Sequence, residues 1–177
     1  MKLSNLLNRL LFAIALALLN SCSSRVNNLN NDFFVTSKQE PSISGNGRNI
    51  AMIIDINGRK TVQLLRLNDK KKLSLRKLKR YQPHSSPSLS WNARYIAVLA
   101  QRGGKRIAII EDRKKGSIHY FALPYQRVPS RLSLSPNGTQ LSLQVSDKGK
   151  WQIFTYDISK TIEPDLFMSP SSPSLSR

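Results

Sequence analysis

A triplet of the form Ser-aliphatic-Ser recurs at near-constant spacing. It appears as Ser42-Ile43-Ser44, Ser88-Leu89-Ser90 and Ser133-Leu134-Ser135, 46 and then 45 residues apart. A fixed period of this size marks a repeat architecture, in which one small unit buries its faces against copies of itself. Each triplet leads into a turn holding Asn at the same place: Gly45-Asn46-Gly47-Arg48, Trp91-Asn92-Ala93-Arg94 and Pro136-Asn137-Gly138-Thr139. Asn and Gly tolerate positive φ, so these are hairpin signals. Pro41 and Pro87 precede the first two triplets, and Pro129 lies further back in the third.

A strand is expected after each turn. Ile50, Met52 and Ile54 alternate with Ala51 and Ile53, as do Ile96, Val98 and Ala100 with Ala97 and Leu99, and Leu141, Leu143 and Val145 with Ser142 and Gln144. A period of two argues for β structure. The first two strands are apolar on both faces, as strands between two sheets are, while the third alternates cleanly. A second turn follows (Asp55 to Arg59, Gln101 to Lys105, Asp147 to Lys150). Then come third strands at Val62 to Leu65, Ile107 to Ile110 and Trp151 to Tyr156. Fourth strands are expected at Leu73 to Leu78 and Ser117 to Leu123, and the third unit offers only Asp165 to Met168. Ser172-Pro173-Ser174-Leu175-Ser176 nearly copies Ser86 to Ser90, so a fourth unit begins at the end of the chain.

Four short strands in about 45 residues, without a helical period, describe a propeller blade. The motif resembles the TolB-type propeller repeat, carried by Ser135-Pro136-Asn137-Gly138-Thr139-Gln140-Leu141-Ser142-Leu143 with Trp151 to Asp157, and by Ser90 to Val98 with Ile107 to Ile110. Asn stands where that repeat has Asp, and Ala93 replaces its Gly. The resemblance covers residues 41–177. It implies an all-β, propeller-like chain of three four-stranded blades (41–86, 87–131, 132–171) plus the first strand of a fourth (172–177). It also implies protein partners in a bacterial envelope. Propellers close with about 4–8 blades. Either two copies of this chain form a homodimer that completes the ring, or the units form an open fan with free sheet edges.

The start of the chain reads as an address. Lys2 and Arg9 precede the unbroken apolar run Leu10 to Leu19, which suits a signal peptide and is too short to span a bilayer. Leu19-Asn20-Ser21-Cys22 resembles a bacterial lipobox and contains the only Cys of the chain. The resemblance implies a signal peptide over 1–21, acylation of Cys22, and a lipid anchor on the non-cytoplasmic side. Ser23 after the Cys resembles an outer-membrane sorting signal, favouring that membrane of the periplasm over the inner one. Residues 22–40, rich in Asn and Ser, are expected as a tether. The island Phe33-Phe34-Val35 is a candidate strand within it.

Charge is the remaining constraint. The chain carries 28 Lys and Arg against 10 Asp and Glu, a net charge of +18 that becomes +16 without Lys2 and Arg9. Lys70, Lys71, Lys72, Arg76, Lys77, Lys79 and Arg80 concentrate it in one stretch, expected on the outer rim of the first unit. Such a cluster either keeps sheet edges soluble or attracts a polyanion, which in an envelope means anionic lipid, lipopolysaccharide or cell-wall phosphates. Nucleic acid suits the charge but not the export signal. His84 and His119 have no ligand partners at metal spacing, and no nucleophile elbow or phosphate loop occurs, so no cofactor and no catalysis are expected. Asp55-Ile56-Asn57-Gly58 reads as a hairpin turn, and Asp112 and Asp157, at matching repeat positions, read as structural. Trp151 is expected in the core. Trp91, in a turn, is the better candidate for a contact residue.

Overall fold

The structure is a computed structural model, and it describes residues 35–123 and 127–165. Among these the chain is all β. Three antiparallel meanders follow one another: β1 (Val35–Ile43), β2 (Asn49–Ile56), β3 (Arg59–Arg66) and β4 (Lys72–Leu73); β5 (His84–Leu89), β6 (Tyr95–Arg102), β7 (Lys105–Asp112) and β8 (Ser117–Phe121); β9 (Pro129–Leu134), β10 (Gln140–Asp147) and β11 (Lys150–Asp157). They form separate sheets of four, four and three strands.

The blades stack through β1, β5 and β9, and the bonds between them connect matching positions of the repeat. The Ser86 N–H donates to the Glu40 carboxylate. Ser86 Oγ in turn accepts the Leu132 N–H at 2.8 Å, and Ser88 Oγ accepts the Leu134 N–H at 2.9 Å. The three inner strands therefore run the same way, and corresponding turns of all blades lie at the same end. We call the end with the Asn turns (45–48, 91–94, 136–139) the upper end, and the end with the β2–β3, β6–β7 and β10–β11 turns the lower.

Two hydrophobic layers hold the fan together. Between blades 1 and 2, Ala51, Ile53, Val62 and Leu64 meet Ile96, Val98, Ala100 and Ile109. Between blades 2 and 3, Ala97, Leu99, Ala108 and Ile110 meet Leu132, Leu134, Leu141 and Leu143. β6 is thus apolar on both faces because it lies between two neighbours. On the outward face of blade 3, Ser142 and Thr155 bond each other at 3.0 Å, and Trp151 and Ile153 are 64% and 65% exposed. Trp151 is therefore not a core residue: among the described residues no blade lies against its face of β11.

Four local features depart from expectation. β1 starts at Val35, so residues 35–40, expected as the end of the tether, pair with β2. The prolines Pro41 and Pro87 sit at register shifts, after Glu40 (φ 51°) and Ser86 (φ 50°). A bulge tolerates a residue without an N–H, which explains proline inside a strand. The fourth strand of blade 1 is only Lys72–Leu73, not Leu73 to Leu78. The buried Glu111 carboxylate takes the N–H groups of Arg76, Lys77 and Leu78 at 2.9, 3.0 and 3.0 Å, removing them from any ladder. A 3-10 turn, Leu78–Arg80, follows. Among the described residues blade 3 has three strands; of the expected fourth, Asp165 is irregular and residues 166–168 lie outside the described residues. The expected stub at 172–177 lies outside the described residues.

Candidate binding site

The Asn turns build the upper end. In blade 1, Asn46 Oδ1 accepts from Ser44 Oγ at 2.8 Å and from the Arg48 N–H at 3.0 Å. In blade 3, Asn137 Oδ1 accepts from Ser135 Oγ at 2.7 Å and from the Thr139 N–H at 3.1 Å. Each side chain closes its own loop, as Asx turns do. Blade 2 breaks the rule. Its Ser90 Oγ donates to Asp165 at 2.6 Å, and the N–H and Nδ2 of Asn92 donate to the same carboxylate at 2.7 and 3.2 Å. Asp165, 75 residues from Ser90 along the chain, supplies the loop acceptor of the middle blade. Asn92 Oδ1 is thereby turned to accept from Asn46 Nδ2 at 3.2 Å.

The turns also bond to one another through the backbone. The Asn46 N–H donates to Trp91 O at 3.1 Å, and the Trp91 N–H to Pro136 O at 2.6 Å. The half-buried Trp91 ring lies on Gly45, where a Cβ would stand 2.3 Å from Trp91 Cε3, so glycine is required there. Residues 158–165 return over this end as a strap. Ile158 and Ile162 enter the core between blades 2 and 3, and the Asp165 N–H donates to Asn137 O at 2.8 Å. The first two turns and the strap line a depression of about 1090 Å³, whose lining includes Asn46, Arg48, Trp91, Arg94, Arg113 and Asp165.

An ionic network props the strap. Arg94 donates to Asp112 at 2.9 and 3.3 Å and to Glu163 at 2.8 Å, and Lys115 bonds the same Glu163 carboxylate. The Tyr95 hydroxyl donates to Glu163 O at 2.6 Å. The Asp112 bond raises the Arg94 pKa further. Burial pushes the Asp112 carboxyl up, but bonds from Arg94 and from the Lys115 and Lys114 N–H groups outweigh it and leave the pKa lowered. The Lys115 and Arg94 bonds bring Glu163 down to about 2. Burial pushes the Tyr95 phenol up to about 12. Arg113 NH1 donates to Ala93 O at 2.7 Å, while its buried Nε has no partner among the described residues. These groups suit binding: guanidinium and amide donors for acceptor oxygens, beside an indole face for an apolar group.

Of the residues singled out in the sequence, Trp91 and Asn92 stand at this depression. The seven basic residues are all exposed but do not form one patch. Lys71 pairs with Arg66 at the upper end of β3, whereas Lys79 and Arg80 line a groove with Arg59 at its lower end. Eight residues of strand separate the two, roughly 25 Å. His84 lies in β5, 1% exposed. Its Nδ1 accepts the Val62 N–H at 3.0 Å and its Nε2 bonds Leu78 O at 2.9 Å. It is a core cross-link. Asp55 accepts the Gly58 N–H at 2.8 Å within the hairpin turn, and Asp157 accepts the Ser159 N–H at 2.9 Å. Among the described residues no group of three or more His, Cys, Asp or Glu is placed to hold a metal ion. Cys22 lies outside the described residues. Asp165 and Glu111 were not foreseen. Neither lies in the repeated motif, and each acts on a blade other than its own strand's neighbour in sequence.

Comparison with solved structures places the fold. The chain is similar to TolB from Acinetobacter baumannii (TM-score 0.56, 17% identity, 73% of this chain and 31% of that one). It is also similar to a putative TolB from Agrobacterium tumefaciens (0.58, 17%, 73% and 46%). The β-propeller domain of the Trilobed protease from Pyrococcus furiosus, described as having an open velcro topology, matches at 0.53 with 12% identity, over 72% of this chain and 42% of that one. At these identities the likeness is one of fold: a propeller-type arrangement of blades. The chain spans less than half the length of each of these proteins. No family model and no curated protein matches it.

Proposed function

We propose that this chain is a non-catalytic, TolB-like propeller module of the bacterial cell envelope, held by lipid on Cys22 and binding a protein partner at its upper end. It would face the periplasm, with the outer membrane favoured by Ser23. The observation that carries the reading is the concave surface around Trp91 that the first two repeat turns and the strap line, with the third turn bonded to Trp91 through Pro136 O. Its groups include guanidinium and amide donors beside an aromatic face. The fold likeness to TolB structures supports it, and the lipobox-like Leu19 to Cys22 supports the anchor.

Two measurements test it. Cys22→Ala should leave the precursor uncleaved in cells, and correct cleavage and release of that variant would refute the anchor. A photo-crosslinking residue in place of Arg48 should yield a discrete protein adduct, and one in place of Ile153 should not. Equal adducts from both sites, or none from position 48, would refute the upper-end site. A second reading is polyanion binding by Lys70, Lys71, Lys72, Arg76, Lys77, Lys79 and Arg80, acting as two separate groups rather than one patch. Their full exposure, with no ion pair to any of them among the described residues, favours it.

A further inference from the structure

The lower end has an electrostatic character of its own. Each of its three hairpin turns is flanked by a basic pair: Arg59 and Lys60, Arg102 and Lys105, Lys148 and Lys150. All six side chains are exposed, and among the described residues none takes part in an ion pair. Because the blades run the same way, the three pairs lie at one end of the fan. Lys79 and Arg80 join Arg59 there. Among the described residues two carboxylates share this end, and both are engaged: Asp55 with the Gly58 N–H, and Asp147 with Arg127 at 3.1 Å. The upper end has basic residues of its own, Arg48, Arg94, Arg113 and Lys115 among them, but sets Asp69, Asp112, Asp157, Glu163 and Asp165 against them, and Arg94 and Lys115 are ion-paired. Among the described residues the positive charge is therefore least offset at the lower end.

The chain also enters at this end. β1 begins with Val35 paired to Ile56, next to the β2–β3 turn. Val35 lies thirteen positions after Cys22, a reach of at most about 45 Å when fully extended. An acyl group on Cys22 would therefore tether the fan by this end. Attraction to a charged surface decays over about 8 Å at physiological salt, so only the cations of the apposed end contribute.

We propose that the lower end is a membrane-apposed surface that contacts anionic phospholipid and holds the upper-end depression away from the bilayer. The inference rests on the lipid-anchor reading for its geometry, but its charge pattern can be tested without the anchor. The probe is the chain from residue 22 carrying Cys22→Ser, which lacks the apolar run that would itself enter lipid. Binding is measured to phosphatidylcholine vesicles with and without phosphatidylglycerol. The chain should bind only the anionic vesicles. Changing Arg59, Lys60, Arg102, Lys105, Lys148 and Lys150 to Gln should weaken binding on the order of a hundredfold. Changing Lys70, Lys71, Lys72, Arg76, Lys77 and Lys114 to Gln removes the same charge from elsewhere and should weaken it less than about threefold. Equal losses would mean that net charge alone is sensed and would overturn the proposal, as would binding indifferent to phosphatidylglycerol. Should the six-residue variant fail to fold, the pairs Arg59→Gln with Lys60→Gln and Lys148→Gln with Lys150→Gln carry the same comparison. The mass of Cys22 from cells is read separately. An unacylated Cys22 with selective vesicle binding refutes the anchor alone, and an acylated one without selectivity refutes this surface alone.

Discussion

Replacing Asp165 by Ala tests how the middle blade is completed. Its carboxylate is 4% exposed and accepts from Ser90 Oγ, the Asn92 N–H and Asn92 Nδ2 at 2.6, 2.7 and 3.2 Å. The substitution leaves a buried hydroxyl and a part-buried amide without their acceptor. A hydrogen bond to a charged group is worth about 1.5–3 kcal/mol, partly offset by no longer burying the carboxylate. A net loss of about 3 kcal/mol follows. For a folded unit of this size that is roughly a 10 °C fall in Tm, read by thermal or urea unfolding. Asp165→Asn keeps one acceptor oxygen and should lose about half as much. In a double-mutant cycle, Ser90→Ala with Asp165→Ala should cost clearly less than the two single changes added, because they remove one shared interaction. A Tm for Asp165→Ala within about 2 °C of the parent would refute the reasoning, as would additivity in the cycle.

His84 makes stability depend on pH. Burial lowers its pKa from 6.5 to about 4, against the opposing bond to Leu78 O. The unfolded chain therefore binds the extra proton first, and stability present above pH 6.5 is lost as pH falls towards 4. The loss is about 2.5 kcal/mol at pH 4.5. Urea midpoints between pH 7 and 4.5 should show that component in the parent and not in His84→Leu; identical pH slopes would count against it. Glu111→Gln should free the segment it holds. Amide exchange at Arg76, Lys77 and Leu78 should rise roughly tenfold or more, with β6 unchanged. Unaltered protection there would show that Leu75 and Leu78 packing alone fixes the segment.

Much of the architecture is legible along the chain because the repeat is local. Triplet, Asn turn and alternating strand all fall within about 15 residues, where period and turn chemistry speak directly. The double-sided apolar pattern of Ile96 to Ala100 correctly marks a strand between two sheets. Illegible features depend on contacts remote in sequence. Leu73 to Leu78 has the alternation of a strand, but Glu111, more than thirty residues on, holds its amides. His84 sits among Pro and Ser yet fills a gap under Leu78. Trp151 has a core residue's chemistry and is exposed because no blade among the described residues covers its face. At the candidate site, Trp91 and the Asn turns stand out in the sequence, whereas Asp165 follows the last regular strand with nothing local to mark it. The single run of charge at 70–80 divides in space because the chain travels the length of the rim within it.

The place of Asp165 also orders events in time. Blade 2 lies in the middle of the fan, but its turn is completed by a residue beyond blade 3. A loop of 75 residues must close before Ser90 and Asn92 find their acceptor, and closures over such separations come late. The folding unit is therefore indivisible. A chain emerging from its amino end can lay down β1 to β8 in sequence, yet the centre of the fan locks only when nearly the whole of it has arrived.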